Sequence, residues 1–270
     1  MYPPRSILPL LLIGPLLAAG AVAPAGPDRA WSALADSRPQ DVLRQLRRDA
    51  DSRADRLAWA AARIGAQPAT DANMREAEVV LAELETGSDE LAAEAAYLRA
   101  RIYQLHLNEP DFAQAAQLYA ELARRQPESH WAQLGLVKLG LLRLYLLPDL
   151  ADPGADRLAA AEALLPRIHE PLLRRDLELQ IGQAGIVLHQ PQARFLPHLI
   201  AAAQAGGITG TAREDLIVQI GVLSERAGDW ARAREYFERY LADYPANVRA
   251  FTIRQKLGKV NRQLAQEGGA

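Results

Sequence analysis

The sequence predicts an all-α protein, an α-solenoid of about five helical hairpins that ends in a C-terminal capping helix. Apolar residues make up 49% of the chain but aromatic residues only 6%, so the core must consist mainly of leucine, alanine, isoleucine and valine. Leucine and alanine, like the abundant arginine and glutamate, lose little side-chain freedom in a helix. The third observation is a pattern of small and large residues that recurs along the chain.

The clearest copy of this pattern occupies residues 214–247. Small residues at Gly221 and Ala233 would let two helices approach closely, and Phe237 would fill the volume beside that contact. Pro245 cannot continue a helix and would force the chain to turn. This segment is therefore predicted to form a helical hairpin.

The hairpin resembles the tetratricopeptide repeat, whose small, large and closing residues stand at these positions. Ser224 departs from that pattern where an aromatic residue is usual, and Tyr240 departs where alanine is usual. The resemblance implies a right-handed solenoid of tetratricopeptide-like hairpins that binds another protein. The last unit and its tyrosine-rich end look like repeats of exported bacterial cell-envelope proteins.

Further copies are predicted upstream. Ala115, with Tyr119 and Pro127, precedes Ala233 by 118 positions, or three periods of about 39. An earlier unit centres on Ala77. Two degenerate units are expected between them and the last hairpin, the first from residues 131–147 and 155–168, the second from residues 172–188 and 197–205, where Pro197 would begin a helix.

The C-terminal stretch, residues 248–266, carries one apolar stripe and is predicted to cap the last repeat. Arg249, Lys256 and Lys259 lie along one edge of that stripe. These cations could meet an acidic partner or anionic lipid, or they could simply be solvated.

Composition excludes several kinds of chemistry. A formal net charge of -2 argues against nucleic-acid binding, and the absence of cysteine removes disulfides, thiolate zinc sites and cysteine nucleophiles. The histidines show no metal-ligand spacing, and no serine-nucleophile signature occurs. The sequence therefore predicts no catalytic residue, no metal site and no cofactor.

The N-terminus is predicted to be an export signal at residues 1–25, which leaves a single repeat domain at residues 26–270. Arg5 precedes an apolar run, and Ala23 and Ala25 form an A-x-A cleavage pattern before Gly26. The alternative is an uncleaved anchor in the inner membrane, for which the apolar run is marginal in length. A buried helix is opposed by the prolines in this run.

In the resembled family, ligands lie against the first helix of each hairpin. The equivalent positions give a predicted partner-binding strip in the hairpins of Ala115 and Ala233: Tyr97, Gln104, Leu107, Asn108, Asp215, Val218, Val222, Glu225 and Arg226. Its mixed apolar and polar character suggests a helix or an extended segment as ligand. Alternatively, neighbouring repeats or the C-terminal helix cover Val218 and Val222 as core.

Together, these features predict a non-enzymatic scaffold or adaptor, exported to the periplasm or cell envelope, that binds a protein or peptide. Two other functions are kept open. The first is a membrane-surface protein that uses its basic C-terminal helix. The second is a cell-wall enzyme framed by a solenoid, although no residues are left over for a separate catalytic domain.

The cleavage pattern generates a first prediction. Protein purified from the cells that make it should begin at Gly26, because Ala25 supplies the small residue before the scissile bond. N-terminal sequencing tests this directly. A chain that still begins at Met1 or Tyr2 would contradict cleavage and leave the anchored form or a protein that is not exported.

Overall fold

A computed structural model describes residues 27–147 and 156–268. Within these two ranges the chain is helical and contains no β-strand. The predicted fold class, an all-α helical-repeat solenoid, is confirmed. The predicted signal segment and the start of the predicted helix at residues 155–168 lie outside the described residues.

The helices are short and follow one another closely. Their bounds are α1 (Pro27–Ala35), α2 (Pro39–Gln45), α3 (Arg53–Gly65), α4 (Asp71–Leu84), α5 (Glu90–Arg101), α6 (Phe112–Arg125), α7 (His130–Leu141), α8 (Arg157–Glu162), α9 (Pro171–Val187), α10 (Gln192–Ala205), α11 (Gly210–Arg226), α12 (Trp230–Asp243) and α13 (Ala250–Glu267).

Three of these helices continue into tighter or wider turns. A π-helical turn at Ile102–His106 extends α5, and a second at Leu142–Leu146 extends α7. A 3-10 turn at Leu165–Arg167 follows the short α8. Each π-helical turn adds a residue relative to a regular α-helix.

Five hairpins form the array: α3 with α4, α5 with α6, α7 with α8, α9 with α10, and α11 with α12. Their first helices begin 37 to 41 residues apart, in agreement with the predicted period. Aspartate caps the second helix in three hairpins, where Asp111, Asp156 and Asp229 each accept a hydrogen bond from a backbone N–H.

The core of each hairpin forms where a small residue faces a large one. A Cβ atom at Gly221 would lie 2.6 Å from Cε1 of Phe237, so only glycine allows α11 and α12 to approach this closely. Phe237 is fully buried, as is Tyr240, whose hydroxyl donates a hydrogen bond to Glu214. Between hairpins, Gly135 of α7 similarly receives the ring of Tyr119 from α6.

The predicted capping helix is α13. Its residues Ile253 and Val260 are buried and belong to the same apolar cluster as Phe237. The helix packs chiefly against α12 and so covers the open side of the last hairpin.

The prediction that Pro197 begins a helix is wrong. Helix α10 begins at Gln192, and Pro197 lies inside it on the exposed side. The preceding turn is held by Phe195, which is buried against Gly185 of α9, and by the buried Leu196. This packing outweighs the intrahelical hydrogen bond that proline cannot donate.

The burial of Phe237 leads to a second prediction. Phe237→Ala should lower the free energy of unfolding by about 3–5 kcal/mol, because it empties the volume beside Gly221. Phe251→Ala is the matched control, since Phe251 is 67% exposed. Urea unfolding followed by circular dichroism measures both, and equal losses in the two variants would contradict the assigned register.

Candidate binding surface

Helices α5 and α7 each have a face that carries partly exposed apolar side chains. In α5, Gln104 accepts a hydrogen bond from Tyr119 of α6, which places one face of α5 against α6. Arg99 pairs with Glu78 and Glu85 of the preceding hairpin, which occupies a second face. The third face carries Leu98 and Arg101 of α5, both half-buried, and Leu105 of the π-helical turn, and Leu98 also packs against the core.

Helix α7 repeats this arrangement. Gly135 faces Tyr119 of α6, and Gly140 faces Leu177 of α9. The face left over carries Leu134, Lys138, Leu141 and, on the π-helical turn, Tyr145, all of them half-buried or exposed. The Tyr145 hydroxyl donates to the carbonyl oxygen of Gln180 in α9 over 3.3 Å.

Because α5 and α7 are neighbours, their third faces form one surface. The rings of Tyr97 in α5 and Trp131 in α7 have centroids 5.3 Å apart, which fixes the two helices side by side. We call this surface the leucine face and define it by Leu98, Arg101, Leu105, Leu134, Lys138, Leu141 and Tyr145. Leu105 is 51% exposed and Tyr145 is 38% exposed, so apolar area faces solvent here.

The leucine face also carries two cations. Arg101 donates a hydrogen bond to Gln104 over 3.1 Å, and neither Arg101 nor Lys138 has an ion pair among the described residues. Burial lowers the pKa of Lys138 and the charge of Arg101 lowers it further, while Asp176 raises it. The charge of Arg101 thus acts on Lys138 in a partly desolvated setting.

Sequence reasoning missed the leucine face, although a signal for it existed. Leu98 and Leu105 are seven residues apart, as are Leu134 and Leu141. This spacing puts each pair on one helix face. A cation stands between the two leucines in both helices.

In the hairpin of α5 and α6, the structure corrects the predicted strip. Tyr97 and Gln104 are each only 6% exposed and belong to the interface between α5, α6 and α7. The prediction carried the period of 118 from the second helix to the first. The π-helical turn and the longer connection that follows insert residues between the two helices, so the first helix has a different register.

Leu107 and Asn108 follow the π-helical turn instead of lying on a helix. The Asn108 N–H donates to Oδ1 of Asp71 over 3.0 Å. Both residues border an open cavity of about 450 Å³, which α4 and the turn also line, with Glu78 and Glu109 contributing acidic side chains. They are therefore separate from the leucine face.

In the last hairpin, the predicted residues lie on the side where α13 contacts α11. Val218 and Val222 are half-buried and pack against the core cluster that contains Phe237. Asp215 forms an ion pair with Arg249, and Arg226 is exposed. This placement favours the alternative in which Val218 and Val222 are core.

Glu225 is a buried carboxylate of this region that two lysines of α13 contact. It is 8% exposed and accepts hydrogen bonds from Lys256 Nζ at 2.7 Å and Lys259 Nζ at 2.9 Å. Burial raises the pKa of Glu225, but these two hydrogen bonds outweigh it, and the net result is a lowered pKa. Glu225 thus ties α13 to α11.

The basic edge of α13 is engaged within the chain. Arg249 pairs with Asp215, and Lys256 and Lys259 pair with Glu225. A membrane contact through these three cations would compete with their ion pairs. No helix within residues 27–147 and 156–268 has the length and apolarity of a membrane span.

One other polar cluster joins α8, α9 and α10. His198 Nδ1 lies 2.5 Å from Glu178 and its Nε2 lies 3.4 Å from Glu162. Burial lowers the pKa of His198, but the two carboxylates outweigh it and raise the pKa. Both ring nitrogens of His198 are therefore engaged by carboxylates. In the part of the chain that the structure describes, no group of His, Asp and Glu side chains is arranged to hold a metal ion.

These observations define a helical-repeat protein with an open face on its first helices. The tetratricopeptide-repeat family model matches residues 215–247, which include most of α11 and all of α12. The chain therefore carries a tetratricopeptide repeat in its last hairpin, and the predicted resemblance to this family is confirmed. Searches of curated proteins and of solved structures found no match.

The ion pairs of Glu225 generate a third prediction. Glu225→Gln should destabilise the C-terminal end by about 1–3 kcal/mol near neutral pH, because two lysines lose a charged acceptor. Since the folded-state pKa is lowered, this stability is present above the ordinary value of 4.5 and is lost as the pH falls through the folded value.

Thermal unfolding at neutral and acid pH measures the effect, and the difference between wild type and Glu225→Gln should shrink in acid. Glu238→Gln is the matched control, because Glu238 is exposed on α12. A pH-independent difference would show that the charge of Glu225 does not hold α13.

Proposed function

We propose that the protein is a scaffold or adaptor of the bacterial cell envelope that binds a partner segment on the leucine face. The observation that carries this proposal is the apolar, partly exposed surface shared by α5 and α7. Tetratricopeptide repeats generally mediate protein–protein binding, and the last hairpin is such a repeat. An exposed apolar patch on a folded domain marks a contact surface.

The proposed contact surface therefore differs from the partner-binding strip predicted from the sequence. Tyr97, Gln104 and Glu225 are buried and engaged, so the proposed contact surface moves to Leu105, Leu141 and Tyr145. Asp215 and Arg226 lie at the far end of the array, where a long partner segment would reach them. A helix or an extended peptide fits a surface of this kind.

The proposed location is the periplasm or cell envelope, and its support is the apolar N-terminal segment with the A-x-A pattern before Gly26. If the N-terminal segment is instead an uncleaved anchor in the inner membrane, the repeat array would still lie in the cell envelope, next to that membrane. A scaffolding role is supported by the tetratricopeptide-repeat family, which is generally a non-catalytic protein-interaction fold.

A fourth prediction tests the leucine face. Leu105→Asp should leave the fold intact, because Leu105 is 51% exposed, and should strongly reduce recovery of the partner by crosslinking from the source cells. A charge on an apolar contact surface must be desolvated on binding. Val79→Asp is the matched control, since Val79 is 45% exposed on α4, a second helix.

Circular dichroism establishes that both variants fold. Recovery of the same partners by wild type and Leu105→Asp would refute the leucine face as the contact surface. An equal loss in Val79→Asp would refute it as well, because the effect would then not depend on the position of the charge.

A further inference from the structure

We propose that the leucine face holds an acidic side chain of its partner between Arg101 and Lys138, within a segment that is otherwise apolar. This inference rests on the proposed function and specifies the chemistry of the ligand. It is based on which charged side chains of the first helices form ion pairs within the chain and which do not.

Several charges on α11 and at the C-terminal helix are neutralised internally. Asp215 pairs with Arg249, and Glu225 pairs with Lys256 and Lys259. Gln183 of α9 donates a hydrogen bond to Gln219 of α11 over 2.9 Å, so these two neutral side chains are also partners of each other. The contact of α11 with α9 and its contact with the C-terminal helix thus both contain matched polar partners.

Arg101 and Lys138 differ from these pairs. Helices α5 and α7 are neighbours, each carries one of these cations, and no carboxylate pairs with either cation among the described residues. Asp176 of α9 is the acid whose charge acts on Lys138, but it already holds Arg175, with an Nη2 to Oδ1 distance of 2.6 Å. An incoming carboxylate would therefore meet two cations that no carboxylate of the described residues already pairs, and the partner it would compete with at Arg101 is the neutral amide of Gln104.

The surroundings strengthen such a contact. Both cations are half-buried, and leucines flank them along each helix. Burial and the charge of Arg101 both act to lower the pKa of Lys138, so a bound anion would relieve an existing repulsion. Hydrogen bonds between charged groups gain strength when water is excluded around them.

The shape of the surface selects the ligand further. Leu98, Leu105, Leu134 and Leu141 surround the two cations, so a fully polar anionic segment would leave this apolar area uncovered. A segment with one acidic residue among apolar residues would contact the two cations and also cover the leucines. Such a ligand is an amphipathic peptide whose apolar stripe is interrupted by a single carboxylate.

Synthetic peptides test the proposal on the purified protein. The probe is an acetylated and amidated helical peptide with a leucine stripe and one central glutamate, and its partner probe has glutamine at that position. The glutamate peptide should bind wild type about tenfold more tightly than the glutamine peptide, the effect of one charge-assisted contact. Fluorescence anisotropy measures both affinities.

Variants locate the contact. Lys138→Gln and Arg101→Gln should each remove this preference for glutamate, and Arg234→Gln, an exposed arginine of α12, should retain it. Lysine side-chain NMR adds a direct readout, since Lys138, Lys256 and Lys259 are the only lysines in the chain. The glutamate peptide should shift the Lys138 signal and leave the two lysines paired with Glu225 unchanged.

Several results would overturn the inference. They are equal affinity for the two peptides, no binding of either peptide, an equal loss in Arg234→Gln, or binding only of a glutamine peptide with a free C-terminal carboxylate. Recovery of the native partner separates this inference from the proposed function. If Lys138→Gln and Arg101→Gln recover it as wild type does, while Leu105→Asp does not, the surface stands and the acidic contact falls.

Discussion

The close approach of the first helices to their neighbours is the constraint on which the array depends, and it is made possible by glycine in α7, α9 and α11 and by buried alanines in α3 and α5. Gly221 admits the ring of Phe237, Gly182 admits Leu199, and Gly140 admits Leu177 of the next hairpin. A glycine inside a helix costs about 1 kcal/mol relative to alanine. Burying a phenylalanine or leucine side chain contributes about 1.5–3 kcal/mol, which outweighs that cost. Two faces of each first helix are thereby committed, and the third is left for other contacts.

This constraint is local in the sequence, which is why the hairpins were predictable. Gly221, Ala233 and Phe237 lie within one repeat, and their sizes alone indicate how two helices pack. The spacing of Ala115 and Ala233 then indicated two intervening hairpins, which the structure contains, although α10 begins at Gln192 and not at Pro197. The capping helix followed from a single apolar stripe, since Ile253 and Val260 recur at a helical spacing and both are buried.

The register of the candidate site was less predictable, because it depends on features that leave little trace in composition. A π-helical turn adds one residue without changing the apolar pattern of α5, so the position of Gln104 relative to the second helix could not be read from the period. The role of Glu225 was hidden for another reason. Its burial arises from α13, whose lysines approach from 31 and 34 positions away.

The same geometry explains why binding should concentrate on the second and third hairpins of the array. At the C-terminal end, α13 supplies cations to the carboxylates of α11, so a charged ligand there would have to displace existing ion pairs. Between α5 and α7 no such pairs form among the described residues, and apolar area lies exposed beside Arg101 and Lys138. Ligand binding there would displace no ion pair of the described residues. Some charges on a surface of repeated helices are already paired within the fold, and others are not. The unpaired charges determine which ligands the surface selects.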